Sequence, residues 1–199
     1  MKRLFAISGV LLLCIACSSE PEKTSSPVAT EKNLLEELKE RTAKNPKDAE
    51  AWFHLADIYD RDALYQEEIT ALNKVIDADP AKKSVYLNLA NTYSRLGMYQ
   101  DAIANYQKAI HSFPRNPVLY NNLGVAYGKI GKIDEEIGSL NKAISLRTRY
   151  ATARFNLGMA LLKKGSRDLA LQQYHKLKTF DDGVAESLKK EIDAKGKKP

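Results

Sequence analysis

The stretch KSVYLNLANTYSRLGMYQDAIANYQKAIHSFPRN, residues 83–116, decides the fold. Tyr86, Leu89, Ala90 and Tyr93 recur at steps of three or four, so they share one face of a helix. Gly97 ends that helix, because glycine accepts the left-handed conformation that a helix terminus favours. From Tyr99 to Ser112 the periodicity resumes, with Ile103, Tyr106 and Ile110 on the inner face of a second helix. Ala90 and Ala109 are small enough to let the two helices approach closely. Pro114 cannot continue the second helix and turns the chain away. A single hairpin of this kind cannot bury both of its faces and requires neighbours of the same design.

The sequence supplies them at a step of 34 residues. Trp52, Tyr86 and Tyr120 obey it, as do Leu55, Leu89, Leu123 and Leu157. Ala56, Ala90, Gly124 and Gly158 follow the same step, and so do Tyr59, Tyr93, Tyr127 and Leu161. Gly97, Gly131 and Gly165 mark the ends of first helices, and Pro80 and Pro114 the ends of second ones. Four units result without a gap, 49–82, 83–116, 117–150 and 151–184. The pattern resembles the tetratricopeptide repeat, W-x2-L-G-x2-Y followed by small, aromatic, small and proline positions. Ala63 stands where the pattern has Gly, Glu68 and Glu136 where it has Ala, and Arg154 where it has an aromatic ring. Thr148 and Asp182 replace Pro, which makes the last unit degenerate.

The resemblance implies an all-α, right-handed α-solenoid of helix hairpins. Glu31 to Lys44 precedes Pro46 in the register of a second helix, so residues 31–48 are expected to form an N-terminal half-repeat. Leu34, Leu35 and Leu38 are its apolar stripe. Val184, Leu188 and Ile192 recur at every fourth residue, and 185–199 are expected to form a capping helix and tail.

The beginning of the chain reads as an address. Lys2 and Arg3 precede an uncharged run from Leu4 to Ala16, shorter than the roughly 20 apolar residues that span a bilayer. Leu13 to Ser19 resembles a bacterial lipobox, which makes residues 1–16 a lipoprotein signal peptide and Cys17 the lipid attachment site. Cys14 is the weaker candidate because bulky Leu13 precedes it, and an ordinary secretory leader is the alternative. The resemblance implies diacylglycerol and a further acyl chain such as palmitate on Cys17. At ~0.8 kcal/mol per buried methylene, several chains hold a protein to a membrane. Ser18, rather than Asp, after the cysteine points to the outer membrane, with the folded part facing the periplasm. Residues 17–30 are rich in Ser and Pro and read as a flexible tether.

Composition excludes much else. Lys and Arg exceed Asp and Glu by 31 to 25, a charge of +6 spread along 199 residues, without the dense cationic footprint of a nucleic-acid binder. Cys14 and Cys17 are the only cysteines, and His54, His111 and His175 are far apart, which argues against a metal centre. Glu67-Glu68 and Glu135-Glu136 suit the first turn of a helix, where carboxylates complement its dipole. Gly128 to Lys132 lacks the spacing of a phosphate loop, and the repeat explains its glycines. No catalytic residue, cofactor or small-molecule substrate is expected.

Family resemblance instead directs attention to the concave face of the first helices. Its positions change along the chain from acidic (Glu50, Asp57, Asp60) through polar (Ser84, Asn91, Ser94, Asn121, with Leu87 among them) to apolar (Phe155, Met159, Leu162). Phe155 and Met159 suit an apolar partner segment, unless the C-terminal cap covers them. Asn88, Asn122 and Asn156 recur once per unit, and an amide offers the donor and acceptor that a peptide backbone needs. Phe53, Leu87 and Thr152 stand where a carboxylate clamp would need cations. Arg61, Arg95, Lys129 and Lys163 close each first helix, as its dipole favours; the alternative is a cationic ridge.

The reading is a lipid-anchored adaptor that binds a partner protein or peptide segment in its groove, in envelope, pilus or secretion assembly. The candidate binding residues are Asn88, Asn91, Asn121, Asn122, Asn156, Phe155, Met159 and Leu87. Alternatives are a structural scaffold without groove binding, or a scaffold for peptidoglycan enzymes.

Overall fold

The computed structural model describes residues 27–196. The expected leader, Cys17 and the expected tether up to residue 26 lie outside the described residues. Ten helices and no strands are present among the described residues. They are α1 (Pro27–Lys44), α2 (Ala49–Arg61), α3 (Tyr65–Ala78), α4 (Val85–Arg95) and α5 (Tyr99–Ser112), followed by α6 (Pro117–Lys129), α7 (Ile133–Leu146), α8 (Ala151–Lys163), α9 (Arg167–Lys178) and α10 (Asp182–Gly196).

The 34-residue step is realised as four antiparallel hairpins, α2–α3, α4–α5, α6–α7 and α8–α9, each packed on the next. Each bend between first and second helix has a left-handed residue. Gly97, Gly131 and Gly165 adopt φ of +75°, +78° and +82°, and Ala63 takes the same place at +57°. Asp48 caps α2 by accepting from the Ala51 amide at 2.9 Å and also receives Arg41 of α1 at 2.9 Å. Those two donors hold its carboxyl below the usual carboxylate range. Asn116 caps α6 in the same way through the Val118 amide, ahead of Pro117 at the first helical position.

Three buried clusters follow one another along the rod. The first joins Leu38 of α1 to Leu55, Leu72, Val75 and Leu89; the second centres on Ala90, Tyr106, Leu119 and Leu123. The third joins Leu140, Leu157 and Leu177 to Ala185, Leu188 and Ile192 of α10. This is the nearest-neighbour core of an α-solenoid.

The ends differ from the sequence reading in three places. Helix α1 begins at Pro27, so residues 27–30 of the expected tether form its first turn, where proline lacks only an amide that has no helical acceptor. Leu38 is buried but Leu34 is 43% exposed, because no first helix precedes α1 among the described residues to cover it. At the other end α10 begins at Asp182, inside the expected fourth unit. The cap also does more than solvate an edge. A Cβ on Gly158 would meet the Leu188 side chain at 2.6 Å, so α10 packs directly onto α8 where glycine leaves room. In the preceding unit Gly124 receives Leu140 of its own second helix. At Gly158 the nearest side chain is thus Leu188 of α10, while Tyr174, in the register of Leu140, is half buried against the same cluster.

Candidate protein-binding groove

Successive first helices leave hollows between them, floored by second helices. The hollow between α2 and α4 has a volume of about 190 Å³ and is lined by Asp57, Asp60, Glu68, Asn88, Asn91, Thr92 and Arg95, with Ala56. The next, between α4 and α6, measures about 380 Å³ and is lined by Asn91, Ser94, Arg95, Tyr106, Asn122 and Val125. Asn91 and Arg95 belong to both, so the two hollows adjoin at α4 along the row of first helices.

Helical spacing places these side chains. Asn88, Asn91, Thr92 and Arg95 lie three or four apart on α4 and share the face turned toward the trough. Glu68 rises from the first turn of α3 and Tyr106 from the middle of α5.

The amides form a linked chain. Asn156 Nδ2 donates to Asn121 Oδ1 at 3.0 Å, Asn121 Nδ2 to Asn122 Oδ1 at 3.1 Å, and Asn122 Nδ2 to Asn91 Oδ1 at 3.4 Å. Tyr106 donates its hydroxyl to the same Asn91 oxygen at 2.8 Å, and burial raises its phenol above the usual range. Asn91, Asn122 and Asn156 are half buried, whereas Asn121 is buried and its amide is engaged inside the protein. Asn88 lines the acidic hollow. Leu87 is half buried against the middle cluster. Phe155 and Met159 are half buried against the C-terminal cluster that includes α10, and Leu162 is drawn fully into it.

Two carboxylates are placed differently from the sequence reading. Glu67 and Glu135 are exposed in the first turns of α3 and α7, but Glu68 and Glu136 are each 4% exposed. They occupy the position where Ala102 and Ala170 stand in the other units, and they point between helices rather than into solvent. Lys163 of α8 covers Glu136, its Nζ lying 3.3 Å from both carboxylate oxygens. Gly128 makes the space, since a Cβ there would lie 2.4 Å from the same carboxyl group. Glu68 accepts from Thr92 Oγ1 at 2.7 Å through Oε1, while its buried Oε2 has no hydrogen-bond partner. Burial is the main cause that raises its carboxyl above the ordinary glutamate range.

The cations at the ends of the first helices also have specific partners. Arg95 pairs with Asp60 of the preceding unit, Lys163 with Glu136, and Arg61 lies 3.6 Å from Asp57 on its own helix. Inter-unit pairing thus accounts for Arg95 and Lys163, which the sequence reading assigned to the helix dipole. The signal was present as two glutamates in a register that otherwise takes alanine. Among the described residues, no group of three or more His, Cys, Asp or Glu gathers as for a metal ion, and His54, His111 and His175 are exposed on separate helices. No described helix is long and apolar enough to cross a membrane.

Four family profiles match in succession. Those described as tetratricopeptide repeat match residues 34–82, 71–104 and 118–150, and one described as TPR repeat matches 95–131. Together they cover more than half of the chain, which belongs to the tetratricopeptide-repeat family. Among solved structures it is similar to MamA, with 23% identity and a TM-score of 0.70 over 83% of this chain and 94% of that one. A MamA fragment from Desulfovibrio magneticus RS-1 superposes with a TM-score of 0.71 at 19% identity, over 78% of this chain and 90% of the other. YrrB, described as a TPR protein with an unusual peptide-binding site, shares 23% identity and a TM-score of 0.64, over 82% and 88% of the two chains. At these identities the likeness is one of fold. No curated protein matches the sequence significantly.

Proposed function

We propose that this protein is a lipid-anchored adaptor whose trough, from Asp57 to Asn156, binds a segment of a partner protein. The observation that carries the reading is the pair of adjoining hollows lined by Asn88, Asn91 and Asn122 together with carboxylates and Arg95. Amides present a donor and an acceptor side by side, which matches the unpaired backbone groups of an extended segment. Half-buried Phe155 and Met159 lie farther along as apolar contacts. The tetratricopeptide family and the fold support protein–protein interaction, and the peptide-binding site in YrrB's description agrees with it. No catalytic role belongs to this reading.

Cys17 supplies the anchor in this account, with the solenoid facing the periplasm and the outer membrane as its location. Incorporation of a fatty-acid probe into the native chain, and its loss in Cys17→Ser, tests the anchor; equal labelling of both refutes it. Partner capture tests the groove. Asn88→Ala with Asn122→Ala is expected to lower recovery of a crosslinked partner roughly tenfold, the effect of about 1.4 kcal/mol of lost hydrogen bonding.

A purely structural role is the second reading, favoured by the chain of amide contacts from Asn156 to Asn91. It predicts that the same variants change stability and leave partner recovery untouched.

A further inference from the structure

Glu68 and Glu136 occupy equivalent places two repeats apart, yet their surroundings are completed differently. At Glu136 the next unit's cation, Lys163, contacts both oxygens, and the position opposite is Gly128, which offers that cation nothing else. At Glu68 the equivalent cation is Arg95, and the equivalent of Gly128 is Asp60. Asp60 takes the Arg95 guanidinium for itself. Glu68 Oε2 is thereby left buried and without a hydrogen-bond donor, in a residue 4% exposed that lines the hollow between α2 and α4. Three carboxylates, Asp57, Asp60 and Glu68, line that hollow; Arg95 in the same lining pairs with Asp60, and Arg61 lies 3.6 Å from Asp57.

Leaving such an oxygen unmatched is costly in a buried site, and the rest of the chain shows which group matches it. We infer that the hollow between α2 and α4 is a specificity pocket for a lysine or arginine side chain of the bound segment, whose cationic head donates to Glu68 Oε2 as Lys163 does to Glu136. Asn88 and Asn91, which line the same hollow, are placed to hold the flanking backbone. The basic residue of the partner then fixes the register of the segment along the trough. This inference rests on the groove-binding reading and adds the chemistry of one subsite.

Selection of a phage-displayed library of random dodecapeptides on the full-length protein in detergent tests it. The expected result is a set of binders that share one Lys or Arg. Replacement of that residue by norleucine in a synthetic peptide is expected to weaken binding to the wild type at least tenfold. Against Glu68→Gln, which keeps the side chain's shape, the two peptides should bind within about threefold of each other. Binders without a common basic residue, or a norleucine peptide that binds the wild type equally well, overturn the pocket and leave the groove intact. Failure to select any binder that competes at the trough overturns the groove reading itself. Circular dichroism melting of Glu68→Gln confirms that its response is read on folded protein, and the norleucine comparison on the wild type does not depend on that variant.

Discussion

Arg154 donates from Nε and Nη2 to the Thr148 carbonyl, at 3.2 and 2.9 Å. The same relationship holds one repeat earlier, where Tyr120 donates to Pro114 at 3.1 Å, and three repeats earlier, where Trp52 Nε1 donates to Pro46 at 3.0 Å. The junction of the third and fourth units has lost both the proline, at Thr148, and the aromatic ring, at Arg154, but keeps the bond between their positions. Its Nη1 group also donates to Gln173 at 3.2 Å. Arg154 is 7% exposed, and burial lowers its pKa, the mark of a cation held where water cannot solvate it well.

Arg154→Tyr should therefore stabilise the protein by about 1 kcal/mol, because a phenol reaches the same carbonyl without a buried charge. Arg154→Ala should destabilise it by about 2 kcal/mol through the unmatched carbonyl and the space left behind. Urea unfolding of the two variants checks both signs.

Ala63 holds φ of +57° where the other units have glycine. Left-handed backbone costs an L-residue roughly 1 kcal/mol, so Ala63→Gly should raise stability by somewhat less than that. Thermal melts of the wild type and the variant decide the point, and a fall in Tm would count against strain at this bend.

Glu68 gives the stability a pH dependence of definite sign. Its folded carboxyl keeps its proton above the ordinary glutamate value of 4.5, through burial first and Asp60 next, against the opposing effects of Thr92 and Arg95. Between the ordinary and the raised value the folded state binds a proton that the unfolded state has released. Stability therefore falls as pH rises through that window, and the loss persists above it. Glu68→Gln should remove this component and stabilise the neutral protein by about 1 kcal/mol. Unfolding free energies measured across pH 4 to 7 in parallel with the wild type check it.

Leu188 is completely buried and fills the room above Gly158. Leu188→Ala should cost about 3 kcal/mol, and in a nearest-neighbour array that loss should fall mainly on α8 to α10. Hydrogen exchange is expected to accelerate there and to leave α2 to α5 nearly unchanged.

The hairpins were legible because the 34-residue period repeats its apolar positions in four registers at once. A residue's place in a unit then indicates which helix face it occupies. Glu68 and Glu136 were harder to place, since a glutamate in the first turn of a helix already has an adequate explanation in the dipole. Exposed Glu67 and Glu135 satisfy that explanation, and only the alanine register marks their neighbours as inward-facing. The Arg95–Asp60 and Lys163–Glu136 pairs span different units, so they depend on how hairpins stack rather than on any one helix. The contact of Leu188 with Gly158 was hidden for the same reason: α10 lies beyond the last repeat, and no period relates it to α8.

Photo-crosslinking in intact cells tests the groove most directly. A photoreactive amino acid is placed in turn at Asn88, Ser94 and Val125 in the trough, and at Lys74, Lys108 and Lys142 on exposed parts of the second helices. The account predicts that one partner protein is captured from the first three positions and not from the last three. Capture from the second helices alone, or equally from both sets, would contradict it.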